Sequence, residues 1–173
     1  MTDKLQSRIL ISPHTSALLV VDCQSNLDPV LDATIAKDSL TRLQAILDKA
    51  AELGIPVVST VFASKDETPA PLNQIVSHLE SLSRRHLNPW EDARLRSKMS
   101  DIGRERIIVV GNCAEGAVSF AALGALELGY HAFVVVDAVH AASELDATTA
   151  ITRMTQAGVV TLTTRQLLLE WGR

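Results

Sequence analysis

The chain is poor in aromatic residues. Three Phe, two Trp and one Tyr make up only 3% of its 173 residues. A core of ordinary size therefore has to be built from aliphatic side chains and Ala. Cysteine is scarce too: Cys23 and Cys113 are the whole complement, too few for a disulfide scaffold or an all-cysteine zinc site. There is no excess of positive charge, with 16 Lys+Arg against 20 Asp+Glu and a pI near 5.7. Such a balance provides no electrostatic footprint for nucleic acid and no basic patch for an anionic membrane. No apolar run approaches membrane-spanning length, and Met1-Thr2-Asp3-Lys4 lacks a basic-then-apolar leader. The expectation is a soluble chain in a reducing, cytoplasmic setting.

What is present is hydrophobic content of 47% with 21% charged residues, which excludes wholesale disorder. The length suits one domain spanning residues 1–173, and nothing resembles a linker, a repeat or a low-complexity tract. Apolar runs alternate with helical patterns. Ser16 to Asp22, Ile55 to Phe62, Arg106 to Gly111, His131 to Asp137 and Val159 to Thr163 read as strands buried on both faces. Between them, helices are predicted over Thr34 to Leu53, Leu72 to Leu82, Glu91 to Met99, Glu115 to Leu128 and Glu144 to Gln156. A short helix ends near Trp171. Gly54, Gly103, Gly129 and Gly158 follow four of the helices as C-cap residues do. The pattern predicts a three-layer α/β/α sandwich around a central, mainly parallel sheet.

Ligands of such sheets bind at the carboxyl ends of the strands, where strand order reverses. This narrows the search to Asp22 and Gln24, Phe62 to Lys65, Gly111 to Ala117, and Asp137 to His140. Gly111-Asn-Cys-Ala-Glu-Gly116 follows a strand and opens a helix, but Ala117-Val118 replace the Lys-Ser/Thr of a phosphate loop. The Gly-x-Gly-x-x-Gly spacing of a dinucleotide turn is missing as well. Glu115 would repel phosphate at the helix start. An ordinary strand-to-helix turn is the better description.

Six segments, in order, resemble the isochorismatase-like hydrolases, the cysteine hydrolase superfamily. They are Leu18-Leu-Val-Val-Asp22-Cys-Gln24, Ala51-Glu-Leu-Gly-Ile-Pro-Val-Val58, and Arg84-Arg-His-Leu-Asn88-Pro-Trp90-Glu-Asp92. Then come Ile107-Ile-Val-Val-Gly111-Asn-Cys-Ala-Glu115-Gly-Ala117-Val118, Gly129-Tyr-His-Ala-Phe-Val-Val-Val-Asp137-Ala138 and Arg153-Met-Thr-Gln-Ala-Gly158-Val159. The Arg-x-x-x-Asn-x-Trp segment is closest to the compact, oligomeric branch, so a homo-oligomer is implied.

The resemblance implies a triad of an Asp after the first strand, a Lys or Arg in mid-chain and a Cys at a helix start. The thiolate attacks an amide-type carbonyl, the Asp serves as base, and backbone N–H groups hold the oxyanion. Asp22 matches the acid. Arg84 matches the basic position, with Arg85 one residue away. The nucleophile position falls on Ala117, because the family's Gly-x-x-Thr-Glu-x-Cys-Val here reads Gly111-Asn-Cys-Ala-Glu-Gly-Ala117-Val118. A methyl group cannot attack a carbonyl.

Three courses follow. Cys113, four residues earlier, could stand in for the missing thiol, although a free Cys is more commonly a small buried hydrophobe. Family members with Gly at this position hydrolyse vinyl ethers with the Asp as acid, and Ala117 is small enough for that. A permanently charged Arg84, however, would hold Asp22 ionised. Finally, the chemistry could be lost, leaving a ligand-binding or assembly protein.

Gln24, Asn88, Trp90, Cys113 and Gly116 complete the candidate pocket for a small molecule, with the Gly116 and Ala117 N–H groups as oxyanion donors. Asn88 and Trp90 also suit a scaffold role. Ala63-Ser64-Lys65-Asp66 lacks the His of metal-binding relatives, and His78 and His86 lack metal-ligand spacing. No metal or cofactor is expected. His14, His131 and His140 read as structural or solvated.

Overall fold

The computed structural model describes residues 10–23, 33–63, 77 and 79–173, and for 33–37 the backbone only. Gln24, Ser64, Lys65, Asp66, His78 and residues 72–76 of the helix expected over Leu72 to Leu82 lie outside the described residues. Strands β1 (Ser16–Val21), β2 (Val57–Phe62), β3 (Ser81–Arg84), β4 (Arg106–Gly111), β5 (His131–Val139) and β6 (Val160–Leu162) form one sheet. Their order is β3-β2-β1-β4-β5-β6, and every pairing is parallel. Helices α1 (Ala33–Glu52), α2 (Ala93–Ile102), α3 (Ser119–Glu127), α4 (Glu144–Ala157) and α5 (Thr164–Trp171) connect and cover it. The expected three-layer sandwich is what forms.

The alternation of side chains along a strand divides the core in two. Ala17, Leu19 and Val21 of β1 face a cluster with Leu95 and Met99 of α2, Ala121 and Ala125 of α3, and Met154 of α4. Leu18 and Val20 face the other way, toward Leu43, Ile46 and Ala50 of α1 and Leu167 and Trp171 of α5. All six residues of β1, and all six of β4, are buried. Burying each Val, Leu or Ile contributes about 1.5–3 kcal/mol, so these central strands anchor the sheet. Aromatic scarcity is met by Ala packing. The small residues of α3 let it approach closely enough for Trp90 to lie against Gly124, where a Cβ would come within 2.5 Å of Trp90 Cδ1.

Two expectations need correction. The predicted helix over Leu72 to Leu82 overran its end, since Ser81 and Leu82 belong to β3. Ser81-Leu-Ser-Arg84 alternates in burial and pairs with β2 along one edge only, so it needs no continuous apolar run. The helix expected from Glu115 begins instead as a wide π turn over Ala114–Val118, in which the Val118 N–H bonds the Cys113 carbonyl at 3.1 Å.

Chain direction along the sheet reverses between β1 and β4. β1 leads outward to β2 and β3, and β4 leads the other way to β5 and β6. The crevice for a ligand is therefore expected where β1 and β4 end. Asp22 and Asn112-Cys113 stand at those ends.

Candidate functional site

Val21 pairs with Gly111 across β1 and β4. At Gly111, φ is +134° and an added Cβ would lie 1.9 Å from the Val21 carbonyl oxygen. Only glycine fits such an approach. It lets the Asn112 N–H reach the Val21 carbonyl at 2.9 Å and the Asn112 side-chain amide donate to the Asp22 carbonyl at 3.0 Å. The Asp22 N–H in turn donates to Thr60 on β2. These bonds hold Asp22 at φ +53°, a left-handed conformation unusual for a residue with a side chain.

Arg84 reaches the same point from the end of β3. Its Nη2 donates to Asp22 Oδ2 at 2.5 Å, and its Nη1 donates to the carbonyls of His86 at 2.5 Å and Leu87 at 3.2 Å. Both side chains are closed to solvent, and the guanidinium lies 5.8 Å from the centre of the Phe62 ring. Arg85 is exposed. Of the two arginines, Arg84 is the one that meets Asp22. Asp22 Oδ1 and Arg84 Nε, both buried, have no hydrogen-bond partner. Burial raises the Asp22 carboxyl above its ordinary value, with the Arg84 guanidinium and the Phe62 amide pulling against that shift. The sequence alone suggested the opposite sign, because it showed the arginine but not the depth of burial.

On the β4 side, Cys113 is half-buried with φ +65°. Its sulfur lies 2.7 Å from the point where a Cβ on Gly116 would stand, and Leu87 Cδ2 is 3.7 Å from that same point. Burial raises the Cys113 thiol, and the charges of Glu115 and Asp22 add to this. The backbone amides of Ala117 and Gly116 oppose it. The two N–H groups named as oxyanion donors thus lie beside the Cys113 sulfur, and the Gly116 N–H also bonds the Cys113 carbonyl at 3.1 Å. Ala117 is fully buried, in the core cluster that contains Val118 and Trp90. Cys23 is 5% exposed, and burial together with the adjacent Asp22 charge pushes its thiol up to about 12.

The remaining candidates brace the site. Trp90 is buried, donates its Nε1–H to the Ala121 carbonyl at 2.7 Å and stacks on Tyr130 at 5.6 Å. Asn88 Oδ1 accepts from the Trp90 N–H at 3.1 Å. The His140 backbone clamps the turn, accepting from Ala114 and donating to Gly111, while Glu115 Oε1 accepts from the Ala142 N–H at 3.2 Å. Asp137 ties β5 to α5 through the Thr164 N–H and hydroxyl. It also lines a separate concavity of about 450 Å³, with Arg42, Thr164, Arg165, Leu168 and Leu169. Neither Asp22 nor Arg84 contributes to that concavity. Among the described residues, no cluster of His, Cys, Asp or Glu has the makings of a metal site, and no helix is long and apolar enough to cross a membrane.

What sequence reasoning missed was the close approach of the Cys113 sulfur to Gly116. A cysteine three residues before a glycine at a strand end was the available signal. The positive φ that turns the sulfur toward that glycine was not visible.

Comparison with known proteins agrees with this fold. The isochorismatase domain model matches residues 16–166. A probable hydrolase, YcaC of Escherichia coli (strain K12), is 27% identical over 169 residues, covering 93% of this chain and 75% of the relative. The crystal structure of the E. coli YcaC gene product, described as an octameric hydrolase of unknown specificity, superposes with a TM-score of 0.82 at 25% identity. It covers 97% of this chain and 84% of that one. An isochorismatase of Pseudomonas putida KT2440 shares the fold at a TM-score of 0.80 and 17% identity, over 93% and 94% of the two chains. With the matched domain spanning most of its length and its sheet and helices arranged as in these relatives, this chain belongs to the isochorismatase family.

Proposed function

We propose that this protein hydrolyses a small organic molecule, an amide or a vinyl ether, in a pocket around Asp22 and Arg84, with no nucleophile supplied at Ala117. One observation carries the proposal. Asp22 is buried with one carboxylate oxygen on Arg84 and the other unpartnered. An ion pair retained only for structure would be expected to satisfy both oxygens, since an orphaned buried acceptor costs about 1–3 kcal/mol. A free oxygen on a carboxyl whose proton affinity is raised by burial suits a group that gives and takes protons. Gln24, Asn88, Trp90, Cys113 and Gly116 are the proposed pocket residues, and the working form is a cytoplasmic homo-oligomer.

The closure of the ion pair from solvent, together with the octameric relative, favours a second reading. In it the chain is a catalytically silent ligand-binding or assembly protein.

The test is to assay small amides and vinyl ethers with native protein, Asp22→Asn and Ala117→Cys. Native turnover that falls at least about a hundredfold in Asp22→Asn supports the hydrolase, a size in keeping with loss of a general acid–base. A silent native protein, with amidase activity arising only in Ala117→Cys, overturns it in favour of the second reading.

A further inference from the structure

We infer that the concavity between α1 and α5 is a second binding site, built for a small monocarboxylate with an apolar body. The hydrolase reading does not bear on it, because neither Asp22 nor Arg84 lines this space. Its volume, about 450 Å³, is of the size that holds small-molecule ligands. It lies at the carboxyl ends of β5 and β6, where open α/β sheets receive ligands. Phe133 and Val135 of β5 belong to the α1 and α5 side of the core. Asp137 follows them on that face by the two-residue alternation of a strand.

The charge of the lining sets the sign of the ligand. Arg42 of α1, Arg165 of α5 and Asp137 are its ionised groups. Two cations and one anion leave a single positive charge, in a chain whose formal charge is −4. Asp137 does not exhaust either cation. Arg42 Nε stands 3.4 Å from Asp137 Oδ2, and Nη1 donates to the Asp137 carbonyl at 3.3 Å. Both contacts are long, and the Arg42 side chain is 42% exposed. The other Asp137 oxygen is committed to the Thr164 N–H at 2.7 Å and hydroxyl at 2.9 Å. Arg165 is exposed. Among the described residues, neither its guanidinium nor Arg42 Nη2 has a hydrogen-bond or ion-pair partner.

The start of α5 is not itself the seat of the anion. The Thr164 N–H goes to Asp137, and the Gln166 N–H goes to the Thr163 hydroxyl at 3.3 Å. Recognition therefore falls to the two guanidinium groups, whose planar forks match a carboxylate.

Leu168 and Leu169 specify the rest of the ligand. They follow Arg165 by three and four positions and so share its side of the helix. Leu169 is 65% exposed. A wholly polar anion such as phosphate would leave both leucines in water. A hydrocarbon body attached to the carboxylate covers them and the apolar stems of the arginines.

Isothermal titration of the full-length protein with octanoate is the test, with hexanoate, 1-hexanol and inorganic phosphate as comparison probes. The expected result is one octanoate per chain, with a Kd of about 1 mM or tighter. Affinity should rise at least about fourfold from hexanoate to octanoate, or roughly twofold per added CH₂. 1-Hexanol should bind at least about fivefold more weakly than hexanoate, and phosphate more weakly still than octanoate. Arg165→Gln should weaken octanoate at least about fivefold and Leu169→Ser about threefold. Both side chains are exposed, so the fold persists in each variant. Asp22→Asn should bind octanoate as the native protein does.

Native affinity in Arg165→Gln, or phosphate binding as tightly as octanoate, overturns the inference. Loss of octanoate binding in Asp22→Asn overturns it too, by moving the carboxylate to the other site. A native protein that takes up no octanoate ends it outright. If Leu169→Ser then lowers the particle mass in light scattering, the leucines belong to a contact between copies of the chain. None of these failures touches the hydrolase reading, whose assay reads turnover in Asp22→Asn.

Discussion

Arg84, at the end of edge strand β3, spans β2 to place Nη2 2.5 Å from Oδ2 of Asp22 at the end of β1. The pair joins the sheet edge to its centre. Two further guanidinium bonds, to the carbonyls of His86 and Leu87, fix the loop that follows β3. Removing one partner leaves the other buried and uncompensated. Arg84→Ala should lower unfolding free energy by about 3–5 kcal/mol in urea titration, with Arg84→Lys recovering only part, because an ammonium cannot reproduce the planar fork. A loss below about 1 kcal/mol would place the pair among weak surface bridges.

The raised Asp22 carboxyl sets a sign for pH dependence. Burial moves it above its ordinary 3.8, so the folded chain binds this proton more tightly than the unfolded chain does. Its contribution to stability is complete below the unfolded value and is lost as pH rises through the folded one. Asn resembles the protonated acid and does not titrate. Comparing native protein with Asp22→Asn by chemical denaturation, the native advantage should shrink as pH rises above the ordinary 3.8. An advantage that grows as pH rises would show that Arg84 outweighs burial.

The two thiols should differ sharply in reactivity. Cys23 is buried and pushed up to about 12, leaving a thiolate fraction on the order of 10⁻⁴ at pH 8. Iodoacetamide at pH 8 should alkylate half-buried Cys113 at least tenfold faster, with Cys23 labelled only after unfolding. Mass-spectrometric time courses read this directly, and equal rates would contradict the burial difference.

Gly111 and Trp90 test the scaffold. Gly111→Ala places a Cβ 1.9 Å from a backbone oxygen at φ +134°, so the variant should be insoluble or lose more than about 3 kcal/mol. Trp90→Phe deletes the bond to the Ala121 carbonyl and should lose about 1–3 kcal/mol in thermal or urea unfolding. An Ala variant at Gly111 with native stability would refute the close approach.

Much of the fold was legible because β1 and β4 are buried on both faces and so read as unbroken Val, Ile and Leu runs. β3 was not, because Ser-Leu-Ser-Arg carries its information in pairing with β2 rather than in hydrophobicity. Asp22 and Arg84 were legible through family resemblance. Their contact joins residues 62 positions apart, and no local pattern encodes it. The Asp22 proton affinity depends on a burial that sequence does not report. Cys113 stayed ambiguous for a related reason: its place relative to Gly116 is set by one backbone dihedral angle.

The close approach at Gly111 also bears on how the candidate site is lost on heating. Asp22 and Cys113 hang from the two most enclosed strands, joined through Asn112 at the same point. Amide exchange at Asn112 and Asp22 should therefore wait for global opening, not local fraying. Heat would then abolish site and fold in one transition, with no interval in which an intact core carries a disordered centre.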